Sequence, residues 1–138
     1  MKILFMCVAN SARSQLAEGL ARTVFPNAEI FSAGLEPSKL NPFAVTVMQE
    51  IGIDISAHYS KSFEMLSPQF TASIDYVITL CAEEVCPVVV SKAKKLHWPF
   101  PDPASKAPLP PAESLKRFRE AREAIHARLK EFKKEIGQ

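Results

Sequence analysis

The apolar positions of this chain change period along its length. Residues 3–6, Ile3-Leu4-Phe5-Met6, form an unbroken apolar run that ends at Cys7. Such a run suits a strand buried on both faces. Beyond it the apolar positions fall at Leu16, Ala17, Leu20, Ala21 and Val24, which is helical spacing. Residues 3–24 therefore predict strand, tight loop, helix. A second short strand is expected from Glu29 to Ala33, broken by Gly34. A helix is expected to start at Asn41-Pro42 and run through Val45, Met48 and Ile51 to a stop at Gly52. Ile53-Asp54-Ile55 is extended, and Ser62 to Phe70 is a short helical turn with Pro68 opening a second one. Asp75 to Leu80, rich in β-branched residues, predicts a third strand ending at Cys81. Lys94 to Trp98 predicts a weaker fourth strand, with CAEEVC, Pro87 and Val88 to Val90 lying between them. A proline-rich loop leads into the clearest helix, Glu113 to Ile136. Its stripe is Leu115, Phe118, Ile125, Leu129, Phe132 and Ile136, with Arg122 filling the one gap.

Strands that alternate with helices imply an α/β fold with a parallel sheet, here of four strands with helices on both faces. The loops after the first and third strands then share the carboxyl edge, where such sheets bind ligands. That puts Cys7 and Cys81 on one rim. Residues 1–138 read as a single domain, without repeats or an internal linker.

Composition changes this picture little. Of 138 residues, 47% are apolar and 23% charged, as in an ordinary soluble domain. A net charge of +2 argues for neither nucleic acid nor a membrane surface. Met1-Lys2 and the apolar run after it have the outline of a secretory signal. The run is at the short limit for one and leads straight into the amphipathic segment, so the expected location is cytoplasmic. Three Cys do not make a simple disulfide framework. In a reducing compartment they point to catalytic, redox or metal chemistry.

The loop between Cys7 and Arg13 has five residues, Val8, Ala9, Asn10, Ser11 and Ala12. A strand-to-helix loop of small residues aims backbone N–H groups into one hollow, and the helix start adds positive potential. That field favours a Cys7 thiolate. Arg13 can grip two oxygens of a tetrahedral anion with its planar fork. Asn10 tolerates a left-handed backbone. Ser14 can hydrogen-bond the sulfur. The bland alternative is a small buried Cys beside a chance Arg. The strand before and the helix after favour an oxyanion loop made of Val8 to Ser14.

CVANSARS, the SAG at 32–34, the TLC at 79–81 and HWPFPDPA at 97–104 resemble the thioredoxin-coupled arsenate reductases, which share the low-molecular-weight protein tyrosine phosphatase (flavodoxin-like) fold. Ala12, Gln15 after Arg13-Ser14, and the two later Cys favour the reductase branch. The resemblance implies that Cys7 attacks bound arsenate, with Asp102 as general acid. Cys81 then attacks Cys7, releasing arsenite, and Cys86 attacks Cys81. Reduced thioredoxin restores the dithiol, with no tightly bound cofactor. Three features depart from the pattern: the four-residue gap between Cys81 and Cys86, Ala9 in place of a usual Gly, and Lys61. Some members hold potassium at positions matching Asn10, Glu18 and Ser32. Lys61 stands where their fourth ligand is acidic, and its ammonium is expected to replace the cation.

The competing readings are a phosphatase with protective extra thiols and a non-catalytic oxyanion regulator. A zinc site from Cys7, Cys81, Cys86 and His97 would occupy the anion loop. His58, His97 and His126 lack ligand spacing among themselves. Trp98 and Phe100 are expected to pack under the Asp102 loop, and the default oligomeric state is a monomer.

Overall fold

The structure is a computed structural model that describes residues 1–82, 92–105 and 107–138. The four strands are β1 (Lys2–Cys7), β2 (Glu29–Gly34), β3 (Tyr76–Thr79) and β4 (Lys94–His97). They pair in parallel in the order β2-β1-β3-β4. The helices are α1 (Arg13–Val24), α2 (Pro42–Gln49), the one-turn α3 (Pro68–Thr71) and the long α4 (Pro111–Glu135).

The run in β1 is apolar because the strand is central and covered twice. Ile3 and Phe5 face one cluster, formed with α1, α2 and α4. Leu4 and Met6 face a second cluster, with Leu66, Phe70 and Ile74 from the segment around α3. Side chains alternate across a strand, so each layer takes every second residue. The larger layer is tied by aromatic edges: Phe132 packs edge-on against Phe25, Tyr76 and Trp98. Trp98 is buried, and Arg128 of α4 lies over its ring at 4.5 Å. Gly19 sits where α1 meets α2; a Cβ there would come within 2.7 Å of Met48 Cε.

Boundaries moved where local chemistry decided them. β2 runs on to Gly34, whose N–H donates to Lys61 O. α2 stops at Gln49, short of Ile51, which is exposed. The chain turns through Gly52 at φ +79° and returns with Ile53 N–H donating to Met48 O. α4 starts at Pro111, two residues before the predicted Glu113, because proline suits the first helical position. The expected turn at 62–70 resolves into a 3-10 turn, Phe63–Met65, followed by α3. Residues 83–86 of CAEEVC, and Val88 to Val90, lie outside the described residues. Among the described residues no helix is long and apolar enough to cross a membrane.

Arg122, the polar gap in the α4 stripe, has a structural reason. Its Nη1 donates to Val47 O and to Glu50 Oε1, both at 2.8 Å, while Arg119 grips the same carboxylate. The stripe is interrupted where the last turn of α2 must be capped. Hydrogen bonding from Arg119, supported by Arg122, holds the Glu50 carboxyl down to about 2 from 4.5. A depressed carboxyl contributes stability that is complete above its unfolded value and is lost as pH falls towards the folded one. Glu50→Gln is thus expected to flatten the fall in urea midpoint between pH 4.5 and about 2. Parallel curves for variant and parent would contradict this.

Candidate active site

Parallel pairing brings Cys7 opposite Gly34 at the carboxyl end of β1. The loop that follows is held from outside by its carbonyls. Val8 O accepts from Glu36 N at 2.9 Å, Ala9 O from Ser38 N at 3.1 Å, and Ser11 O from Asn41 N at 2.9 Å. Asn10 O accepts from Ser60 Oγ at 2.8 Å, and Ala12 O takes the first helical bond, from Leu16 N. In a trans peptide the N–H points opposite to the C=O. Carbonyls drawn outward therefore turn the amides of residues 9–13 inward. Ala12, at the N-cap of α1, makes no side-chain bond to the helix start, so the first N–H groups face the same space. The result is a hollow of about 290 Å³ lined by Cys7, Val8, Ala9, Ser11, Ala12, Arg13 and Asp102.

Of the predicted oxyanion loop, Asn10 and Ser14 are fully buried and stand behind this wall. Asn10 is, among the described residues, the non-glycine residue with positive φ, +50°. Its Nδ2 donates to Ser14 Oγ at 2.7 Å and to Ser32 Oγ at 3.0 Å. Ser14 Oγ lies 2.8 Å from Cys7 Sγ. With Asn10 donating to Ser14, the Ser14 hydroxyl hydrogen is left to point at the sulfur.

Arg13 is buried. Its Nη1 donates to Phe100 O at 2.9 Å and more weakly to Leu80 O at 3.4 Å, and its Nη2 lies 3.8 Å from Asp102 Oδ2. These contacts fix the plane of the fork at the rim. Asp102 is half exposed, and its Oδ1 accepts from Ala104 N at 3.0 Å, an interaction that stiffens the loop. Cys81 is buried and outside any disulfide, just past the end of β3 on the strand beside β1. Leu80 N–H donates to Met6 O, so the two cysteines follow adjacent rungs of one ladder. Cys86 lies outside the described residues.

Behind the loop sits a buried carboxylate, Glu18. Ser32 Oγ donates to its Oε1 at 2.8 Å, and Lys61 Nζ lies 3.5 Å from the same oxygen. Arg22 and His58 approach Oε2 at 3.2 and 3.3 Å. Burial pushes both Lys61 and His58 below their ordinary values, and the Glu18 charge opposes that push. Lys61 Nζ also reaches Tyr59 O at 3.5 Å. Among the described residues no group of three or more His, Cys, Asp or Glu could hold a metal ion. Of the other histidines, His97 is exposed and lies 2.7 Å from Thr79 Oγ1. Sequence reasoning placed Lys61 beside Glu18 but missed His58, Tyr59 and Ser60 as the loop's support. Their contacts join residues more than forty apart, and no local spacing signals that.

Residues 2–138 match the low molecular weight phosphotyrosine protein phosphatase family. The chain belongs to that family. Within it, the chain is 39% identical over 133 residues to arsenate reductase 2 of Staphylococcus saprophyticus, covering 94% of each protein. A solved arsenate reductase in the phosphate-binding state aligns over 98% of both chains, with 32% identity and a TM-score of 0.75. The thioredoxin-dependent arsenate reductase of Corynebacterium glutamicum aligns over 99% of this chain and 61% of its own, with 29% identity and a TM-score of 0.70. The expected phosphatase-like parallel fold is thus the observed one.

Gly34 is the tightest support of the loop. A Cβ at this position would lie 2.6 Å from Val8 O and 2.9 Å from Asn10 N, both backbone atoms. Gly34→Ala is expected to displace the loop and weaken phosphate binding at least tenfold by calorimetry. Overpacking of this kind also costs roughly 1–3 kcal/mol of stability. Unchanged phosphate affinity would show that the contact does not shape the hollow.

Proposed function

We propose that the protein reduces arsenate to arsenite. The observation that carries this reading is a buried second thiol, Cys81, one strand away from a cysteine that opens an amide-lined hollow. Hydrolysis has no use for that thiol; electron transfer requires it. The similarity to named arsenate reductases supports the same reading.

In this mechanism the anion sits on the inward amides with two oxygens on Arg13. The Cys7 thiolate, steadied by Ser14, attacks arsenic while Asp102 protonates the departing oxygen, which leaves as water. The Cys81 thiolate then attacks Cys7 Sγ. The sulfur–arsenic pair passes to arsenic, which leaves as arsenite, and a Cys7–Cys81 disulfide forms. Cys86 attacks Cys81 and frees Cys7. Reduced thioredoxin takes up the Cys81–Cys86 disulfide by exchange. Two thiols are oxidised for each arsenic reduced. We read the enzyme as a cytoplasmic single-domain monomer.

Lys61 is assigned as the internal replacement for a potassium ion beside Glu18, Ser32 and Asn10. Its support is the 3.5 Å approach to the Glu18 carboxylate inside a buried pocket. Exchanging sodium for potassium is therefore expected to leave turnover unchanged, and strong potassium activation would refute the assignment.

A second reading, hydrolysis of phosphate monoesters through a Cys7 phosphocysteine, is favoured by the same hollow and by Asp102 on its rim. Phosphorus(V) cannot accept the electron pair, so this activity needs no second thiol. Arsenate-dependent NADPH consumption with thioredoxin and its reductase is expected for the parent and abolished in Cys7→Ser. Cys81→Ser should lose the reduction but keep weak aryl phosphate hydrolysis; equal loss of both would contradict its role. Asp102→Asn is expected to slow reduction by about 10²–10⁴-fold.

A further inference from the structure

The side chain of Gln15 is fully buried on the first turn of α1, behind the anion loop. Its Nε2 faces three carbonyl oxygens: Asn10 O at 3.2 Å, Asn10 Oδ1 at 3.1 Å and Tyr59 O at 3.0 Å. Its Oε1 lies 3.0 Å from His58 Nδ1. A chain of obligate donors and acceptors fixes all these orientations. Lys61 N–H donates to Asn10 Oδ1 at 3.0 Å, which settles the Asn10 amide. Asn10 then offers only oxygens to Gln15, so the Gln15 amide must turn its nitrogen towards them. The Gln15 oxygen and Glu18 Oε2 both face His58 Nδ1, so that nitrogen carries the proton.

We infer that Gln15 is a positioning residue for oxyanion binding: its amide, aimed by His58, clamps both oxygens of Asn10 and thereby holds the Asn10–Ser11 peptide with its N–H turned into the hollow. Asn10 needs such a clamp. Its left-handed backbone, at φ +50°, is costly for a residue other than glycine. A peptide that rotated away would withdraw one inward amide and present its carbonyl to the anion. Ser60 also holds Asn10 O, but among the described residues it is Gln15 whose side chain joins that oxygen, the Asn10 side chain and the neighbouring 59–61 segment. Burial favours neutral His58, which has a single proton to place and places it towards Gln15 and Glu18. The inference deepens the oxyanion reading above and rests on it.

The test is calorimetric titration of the full-length protein with inorganic phosphate, alongside KM and kcat for arsenate with the thioredoxin system. Gln15→Met keeps the bulk and removes the amide. Losing these hydrogen bonds is expected to raise the phosphate Kd and the arsenate KM together by roughly tenfold, with a smaller change in kcat. A merely structural role would lower the melting temperature and leave the Kd of the folded protein alone. Should Gln15→Met fail to fold, Gln15→Glu keeps the shape and the bond from His58 but loses both donors, and the same rise is expected. His58→Leu is expected to raise the Kd in the parent and to add little on top of either Gln15 variant. A folded Gln15 variant that binds phosphate as the parent does would overturn this inference alone. A parent that binds neither phosphate nor arsenate would overturn the oxyanion reading and this inference with it.

Discussion

The structure depends on the outward tethering of one short loop. Five successive carbonyls, from Val8 to Ala12, each find a donor on the far side of the chain or in the helix that follows. The amides have nowhere to point but inward. The arrangement is held within the fold by the 36–41 segment, by Ser60, and by a glycine that lets β2 approach closely. An anion site made this way is preorganised, which is the main source of electrostatic catalysis. The parallel sheet sets the rest. Because β1 and β3 are adjacent and end on the same side, both described cysteines come to one rim.

A second layer of polar groups supports the first. Glu18 is a buried charge, and such a charge is tolerated only with partners. Among the described residues its partners are Ser32, Arg22, His58 and Lys61. Two of these partners connect it to the loop. Ser32 also accepts from Asn10, and His58 also meets Gln15. The charge cluster and the anion loop are therefore one hydrogen-bonded body. Lys61 and Arg22 both place cationic groups against the Glu18 carboxylate, which stands directly behind the loop.

Much of this was legible in residues 3–24, where the change from an apolar run to helical spacing located the loop and its Cys and Arg. The α/β class and the sheet edge followed from the alternation of elements. What sequence could not show is what ties distant segments together. Arg122 read as a flaw in an apolar stripe, and only the contact with Val47 and Glu50, more than seventy residues away, makes it a cap. Ile51 fitted the spacing of α2, yet the helix ends before it, because the turn at Gly52 is decided by a positive φ rather than by hydrophobic period. The spacing of Arg13 marked it as a grip for the anion. It also anchors the carbonyls of Leu80 and Phe100, which links the ends of β3 and β4 to the loop. Gln15 entered the sequence reading as a marker of family branch, and its three carbonyl partners give it a physical role.

The most direct measurement of the central claim is disulfide mapping by mass spectrometry after one turnover with arsenate, in a Cys86→Ser variant without thioredoxin. The account predicts one arsenite released per protein and a trapped bond between Cys7 and Cys81. Arsenite formed with those two thiols still reduced, or a disulfide that excludes Cys7, would contradict it.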